Sequence, residues 1–221
     1  RYLISGGAGF LGSLLIEQLR TAEPTAEITV VDRVVSPHDD VTSIVADLAT
    51  ESASLEPFLA VEPVTIFHLA SVVSSGAEAD WTGAMALNVV GLLGLLEACR
   101  ASNQLHRVVF ASSVAVFGGD FTETATGDRT KQTPTSTYGT TKAIGELLID
   151  DASRKGFVDG RTARLPTVII RPGAPNLAAS SFCSGIFREP LQGLRCVVPV
   201  AVDTPLVVIS PDTAVAGLRH L

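Results

Sequence analysis

The 221-residue sequence predicts an α/β fold built on a doubly wound parallel sheet. Three observations predict it. Short apolar or β-branched runs alternate with stretches of helical periodicity, a glycine-rich turn joins the first run to the first helix, and turns are too widely spaced for hairpins. Strands separated by helices imply right-handed βαβ crossovers, and a parallel sheet covered on both faces accounts for strands that are apolar throughout. An all-β sandwich would need closer turns, and a helical bundle would not need these runs.

The elements follow in order. Tyr2-Leu3-Ile4 is the first short run, ending in Ser5-Gly6-Gly7-Ala8-Gly9-Phe10-Leu11-Gly12. Leu11, Leu14, Leu15, Gln18 and Leu19 then recur at helical spacing. Ile28 to Asp32 is a second β-branched run, and Ser43-Ile44-Val45 a shorter third. Strands are predicted at Thr65 to Leu69 and Arg107 to Ala111, separated by a long helix from about Glu78 to Ser102. A further helix from about Thr137 to Lys155 precedes a strand over Thr167 to Ile170. After Arg171 prolines recur and apolar runs shorten, so residues 172–221 read as connecting segments of a smaller lobe, set against a main domain over 1–171. The helical pattern from Asp212 to Leu221 stops in mid-pattern, and Arg1 has no Met before it, so both ends read as trimmed and the lobe as incomplete.

Composition narrows the function classes. A hydrophobic fraction of 46% with 18% charged residues excludes a large disordered protein. The apolar stretch Ala86 to Cys99 is broken by Asn88 and Glu97 and is expected to fall short of a membrane span. The first glycine motif starts close behind Arg1, so no signal peptide is expected. A net charge of −7 argues against nucleic acid as a partner. Cys99, Cys183 and Cys196 are far apart, which disfavours a disulfide scaffold and points to a reducing compartment, the cytoplasm. His38, His68, His106 and His220 are scattered, so no metal site is expected.

Gly6, Gly9 and Gly12 form GxxGxxG directly between a strand and a helix. Glycines there permit a tight turn and let backbone N–H groups approach a pyrophosphate at the positive end of the helix. Asp32 ends the second strand 20 residues after Gly12, where a carboxylate can accept hydrogen bonds from the adenosine ribose hydroxyls. A 2′-phosphate would be repelled there, so NAD is expected rather than NADP, although the neighbouring Arg33 could receive a phosphate. Asp47 could reach the adenine amino group or serve as an ordinary solvated turn residue.

Tyr138 and Lys142 form YxxxK at the start of a helix, one turn apart on one face. An ammonium close to a phenol stabilises the phenolate, so Tyr138 can take a proton from an alcohol while Lys142 lowers its pKa. Lys142 is one of three lysines, with Lys131 and Lys155, which makes the coincidence informative. Ser112 and Ser113 end a strand on the edge where doubly wound sheets bind ligands, and a hydroxyl there can orient the substrate oxygen. Structural packing of a helical Tyr and Lys is the competing explanation. His68 and Asn88 read as satisfied interior groups, and Trp81 and Met85 as helix packing.

At this point the chain resembles the extended short-chain dehydrogenase/reductase family, relatives of nucleotide-sugar epimerases and dehydratases with a Rossmann-type fold. The matching segments are SGGAGFLG (5–12), VDR (31–33), VADL (45–48), HLAS (68–71), ALNVVGLLGLLEAC (86–99), FASSVAVFG (110–118) and YGTTK (138–142). The resemblance implies Ser113, rather than Ser112, as the catalytic hydroxyl beside Tyr138 and Lys142. It implies NAD contacts from Phe10, Leu11, Leu48, Leu69, Ala70 and Ser71, in addition to Gly6, Gly9, Gly12, Asp32, Arg33, Asp47, Tyr138 and Lys142. Within the family, the stretch 142–191, with RPGAPN, ASSF and REPL, looks like the D-erythronate dehydrogenase group. That likeness implies oxidation of the C2 hydroxyl of a four-carbon sugar acid to a 2-oxo acid.

A small acid needs a cation, and Arg188 is the residue expected to hold its carboxylate, with Ser75, Ser113 and Asn176 contacting substrate hydroxyls. The resemblance also implies a homodimer, in which the apolar faces of two helices (Ala86, Val89, Val90, Leu93 and Ile144, Leu147, Leu148) pair across an axis. Two other functions are weighed against the dehydrogenase. A nucleotide-sugar epimerase or dehydratase would recycle bound NAD, but a dehydratase often has an acidic pair beside the catalytic hydroxyl and Ser113-Val114-Ala115 offers none. A dinucleotide-sensing regulator could lose Tyr138 or Lys142 freely, whereas both are present.

Overall fold

The protein is described by a computed structural model over residues 1–119, 125–173 and 178–221. Its elements are β1 (Tyr2–Ser5), α1 (Phe10–Ala22), β2 (Ile28–Asp32), β3 (Thr42–Val45), α2 (Leu48–Glu51), α3 (Glu56–Leu59) and β4 (Thr65–His68). These lead into α4 (Ser74–Ala79), α5 (Trp81–Met85), a π-helical segment (Ala86–Gly91), α6 (Leu92–Ala101), β5 (His106–Ser113) and α7 (Thr137–Arg154). The remainder comprises β6 (Val158–Leu165), β7 (Thr167–Val168), α8 (Phe182–Leu191), β8 (Val208–Ile209) and α9 (Pro211–His220).

Six strands form one parallel sheet in the order β3-β2-β1-β4-β5-β6. Successive strand side chains point to opposite faces, so each apolar run feeds two cores. Leu3, Val31, Ile66 and Val108 pack on one face against Leu48, Leu59, Leu95 and Ile149. Ile4, Val30, Phe67 and Val109 pack on the other against Leu15 and Leu19 of α1 and Val215 and Leu218 of α9. Burying each such side chain stabilises the fold by about 1.5–3 kcal/mol, before the entropy cost of ordering it. The strand order reverses between β1 and β4. That switch point opens a crevice at the carboxyl ends of both strands, where this architecture places its ligands.

Several elements differ from the sequence expectation. β6 was not expected as a strand, because VDGRTARL carries charges and a glycine; it is the edge strand, where polar side chains are tolerated and blunt further pairing. The strand expected over Thr167 to Ile170 is only β7, which pairs with β8 in a separate two-stranded sheet. The long helix begins earlier, at Ser74, and breaks at Asp80, whose carboxylate accepts from Gly83 N at 2.9 Å.

From Trp81 to Ala101 the helical run spans 21 residues and is apolar enough to cross a membrane, so the expectation of a shorter stretch is corrected. It buries Leu92, Leu95, Leu96 and Cys99 in the core, and Asn88 bonds to Val72 and Thr141. Trp81, expected to pack, is 61% exposed.

Candidate active site

Gly6 opens the turn after β1 with φ of +73°, a conformation that favours glycine. A Cβ there would lie 2.7 Å from Ala70 N, and one on Gly12 would lie 2.5 Å from Gly7 Cα. The turn is therefore packed to the backbone on its inner side. Gly9 N-caps α1 without a side chain, leaving the start of the helix uncovered for an anion.

A groove passes over this turn. One part, about 220 Å³, is lined by Asp32, Arg33, Asp47 and Leu48 together with Gly6, Gly9, Leu69, Ala70 and Ser71. The adjoining part, about 240 Å³, also borders Gly6, Gly9, Leu69 and Ser71 and continues past Phe10, Leu11 and Gly12 to Ser113, Tyr138 and Lys142. Asp32 accepts hydrogen bonds from Ala8 N at 3.2 Å and from Arg33 N at 2.7 Å, tying the β2 end to the glycine turn. Asp47 caps α2 by accepting from Ala49 N at 3.0 Å. An acidic end, a packed glycine turn with an open helix start and a far end carrying Ser, Tyr and Lys together fit a dinucleotide.

At that far end Ser136 caps α7, accepting from Gly139 N at 3.0 Å, and so starts the helix just ahead of Tyr138. Burial pushes the Tyr138 phenol up from its ordinary pKa, and a hydrogen bond with the Ser113 side chain pulls it down. Lys142 is fully buried; Nζ donates to Ala111 O at 2.8 Å and lies 4.8 Å from the centre of the Phe110 ring and 5.6 Å from that of Tyr138. Burial brings its pKa down to about 7. In this geometry the group that pulls the phenol down is Ser113, while the Lys142 amine lies beside the Tyr138 ring and is held by the Ala111 carbonyl.

Ser113 and Tyr138 also border a larger cavity of about 830 Å³, lined by Ser75, Glu78, Thr135, Ser136 and Arg171 among others. Arg188 is not among its lining residues. Its guanidinium is 2.5 Å from Glu189 Oε1 and donates to Arg171 O at 2.9 Å, so an Arg expected to bind substrate instead supports the backbone of another. Arg171 is the only cation among the described residues that line the cavity. Sequence reading passed over it, although its place just beyond a strand end was a usable signal. Asn176 lies outside the described residues. His68 and Asn88 are satisfied interior groups: His68 Nδ1 is 2.7 Å from Ser5 Oγ, and Asn88 bonds to both the N and O of Val72.

Comparison with known proteins agrees with this geometry. The model of the NAD dependent epimerase/dehydratase family matches residues 2–200. The chain is 48% identical to D-erythronate dehydrogenase of Cupriavidus necator, over 98% of this chain and 70% of that protein. It is 44% identical to D-erythronate dehydrogenase of Haemophilus influenzae, over 100% of this chain and 71% of that one. Among solved structures, the nucleoside-diphosphate-sugar epimerase from Agrobacterium tumefaciens superposes with a TM-score of 0.88 at 39% identity, covering 99% of this chain and 68% of that one.

Proposed function

Because the chain belongs to the NAD dependent epimerase/dehydratase family, we propose that it oxidises a secondary alcohol of a small sugar acid, D-erythronate to 2-dehydro-D-erythronate. The observation that carries this reading is that Ser113 and Tyr138 line both the dinucleotide groove and the larger cavity, at the place where the two meet. NAD, when bound, supplies the two-electron oxidant. Gly6, Gly9, Gly12, Phe10 and Leu11 would hold its pyrophosphate, Asp32 and Arg33 its adenosine ribose, and Asp47 and Leu48 its adenine. Leu69, Ala70 and Ser71 line the groove between the two ends.

Tyr138 is the general base and takes the alcohol proton at its phenolate oxygen. Ser113 holds the substrate oxygen and favours the phenolate through its own hydrogen bond. Lys142 bears on the same oxygen and on the cofactor ribose. Arg171 takes the substrate carboxylate through a bidentate fork, and Ser75 contacts a hydroxyl. Residues 1–171 form the cofactor domain, and 172–221 supply part of the substrate lobe with a returning helix. The free cysteines suit a soluble cytoplasmic enzyme.

The test is NADH formation by the full-length protein with D-erythronate and other four- to six-carbon aldonic acids, with NADP and nucleotide sugars as controls. D-Erythronate should reduce NAD, and Tyr138→Phe should lower turnover by about 10²–10⁴ while NAD still binds. The breadth of the cavity favours a nucleotide sugar, with NAD recycled, as the second reading. Conversion of such a sugar without net NADH, and silence with every acid, would replace the first reading by the second.

A further inference from the structure

The helix face that presents Tyr138 and Lys142 has a third member. Tyr138, Lys142 and Glu146 follow at four-residue intervals along α7. Each meets one of three consecutive residues at the end of β5. Lys142 Nζ donates to Ala111 O at 2.8 Å, Ser112 Oγ donates to Glu146 Oε1 at 2.5 Å, and the Ser113 side chain hydrogen-bonds Tyr138.

Glu146 is only 4% exposed. Arg164 on β6 clasps it, Nε lying 3.0 Å from each carboxylate oxygen and Nη2 2.7 Å from Oε2. Gln132 Nε2 donates to the same carboxylate. Arg164 also lies over the Phe117 ring at 5.0 Å and donates from Nη1 to Gly127 O at 3.4 Å. One buried carboxylate therefore gathers α7, β5, β6 and the stretch leading to Thr135 and Ser136 on the cavity wall. Apolar residues would pack a helix on a sheet without desolvating two charges, so packing alone does not account for an ion pair here.

We propose that Glu146 and Arg164 are positioning residues, whose ion pair fixes the end of β5 against α7 and thereby sets Ser113 on the Tyr138 phenol. The proposal rests on the reading of Tyr138 as the general base. Lys142 on the same helix, Glu78 on α4 and Arg171 border the same space, and His68 on β4 stands next to Lys142. None of these four makes a hydrogen bond to Glu146 among the described contacts. Loosening Glu146 acts on the phenol through Ser113, and losing that hydrogen bond leaves burial to raise the pKa unopposed.

The experiment uses full-length enzyme carrying Glu146→Gln, which keeps the shape and removes the charge, or Ser112→Ala, which removes one hydroxyl and leaves the ion pair. Tyr138 ionisation is followed by ultraviolet absorbance as the difference from Tyr138→Phe, and kcat and the KM for NAD are measured alongside. Ser112→Ala, which changes no charge, should move the ionisation to higher pH by about one unit, and Glu146→Gln by less, because losing its negative charge by itself favours the phenolate. A shift of about one unit should lower kcat about tenfold at a pH below the transition, with the KM for NAD within about twofold of wild type. Folded variants that titrate and turn over like wild type would overturn the proposal, and should Glu146→Gln fail to fold, Ser112→Ala alone decides it. The titration needs no substrate, so a wild-type enzyme silent with D-erythronate would count against the substrate reading and leave the positioning role to be judged by the phenol.

Discussion

His68 Nδ1 and Ser5 Oγ lie 2.7 Å apart at paired positions of β4 and β1, directly beneath the turn that begins at Gly6. The same Ser5 Oγ accepts from Ala70 N at 3.4 Å, so one buried contact joins the two strand ends that flank the dinucleotide groove. Burial, with Lys142 close by, holds the His68 pKa down to about 3.

That depression makes stability depend on acid. Between about 3 and the ordinary value of 6.5 the unfolded chain binds the proton that the folded chain refuses, so stability rises with pH across that window. The contribution is complete above 6.5 and is lost as pH falls towards 3, amounting to up to about 5 kcal/mol. Urea unfolding at about pH 7, 5.5 and 4.5 should show this loss. His68→Gln, which cannot charge, should flatten the slope; an equal slope in both proteins would assign the acid sensitivity elsewhere.

The glycine turn has no room on its inner side. Gly12→Ala places a Cβ 2.5 Å from Gly7 Cα and 2.6 Å from Gly6 O, both backbone atoms that move only with the turn. The substitution should cost about 1–3 kcal/mol of stability and weaken NAD binding at least about tenfold. Thermal unfolding and calorimetric titration with NAD measure the two effects, and a normal NAD affinity would separate the turn from the cofactor.

Two arginines should part company by kinetics. Arg171 borders the cavity, whereas Arg188 is held by Glu189 and by the carbonyl of Arg171. Arg171→Gln should raise the KM for the acid about tenfold or more and leave the KM for NAD near wild type. Arg188→Gln should lower the melting temperature before it touches KM, because Glu189 loses its partner in a largely buried site. The reverse pattern would return the carboxylate to Arg188.

The outer faces of α6, α7 and the π-helical segment expose Val90 at 54%, Leu93 at 44% and Leu147 at 62%. We read this apolar stripe as a homodimer surface. Leu147→Glu should convert a dimer to a monomer in sedimentation velocity at low micromolar concentration. A wild-type protein that sediments as a monomer would end this reading.

The sequence by itself determined what depends on local chemistry and period. Alternating apolar runs specified the parallel sheet, since residues such as Leu3 and Ile4 must each bury on opposite faces. Three glycines, an acid at a strand end and a Tyr–Lys pair one turn apart were legible because their roles depend on short, fixed spacings. The structure places all of them along one groove. Tertiary structure decided the rest. β6 became a strand through its edge pairing with β5, which its own polar residues do not announce. Arg171 rather than Arg188 borders the cavity, and Glu146 meets Arg164 only because β6 returns beside β5. Where a charge comes to lie in the fold is set by residues distant in sequence, and no local pattern encodes their approach.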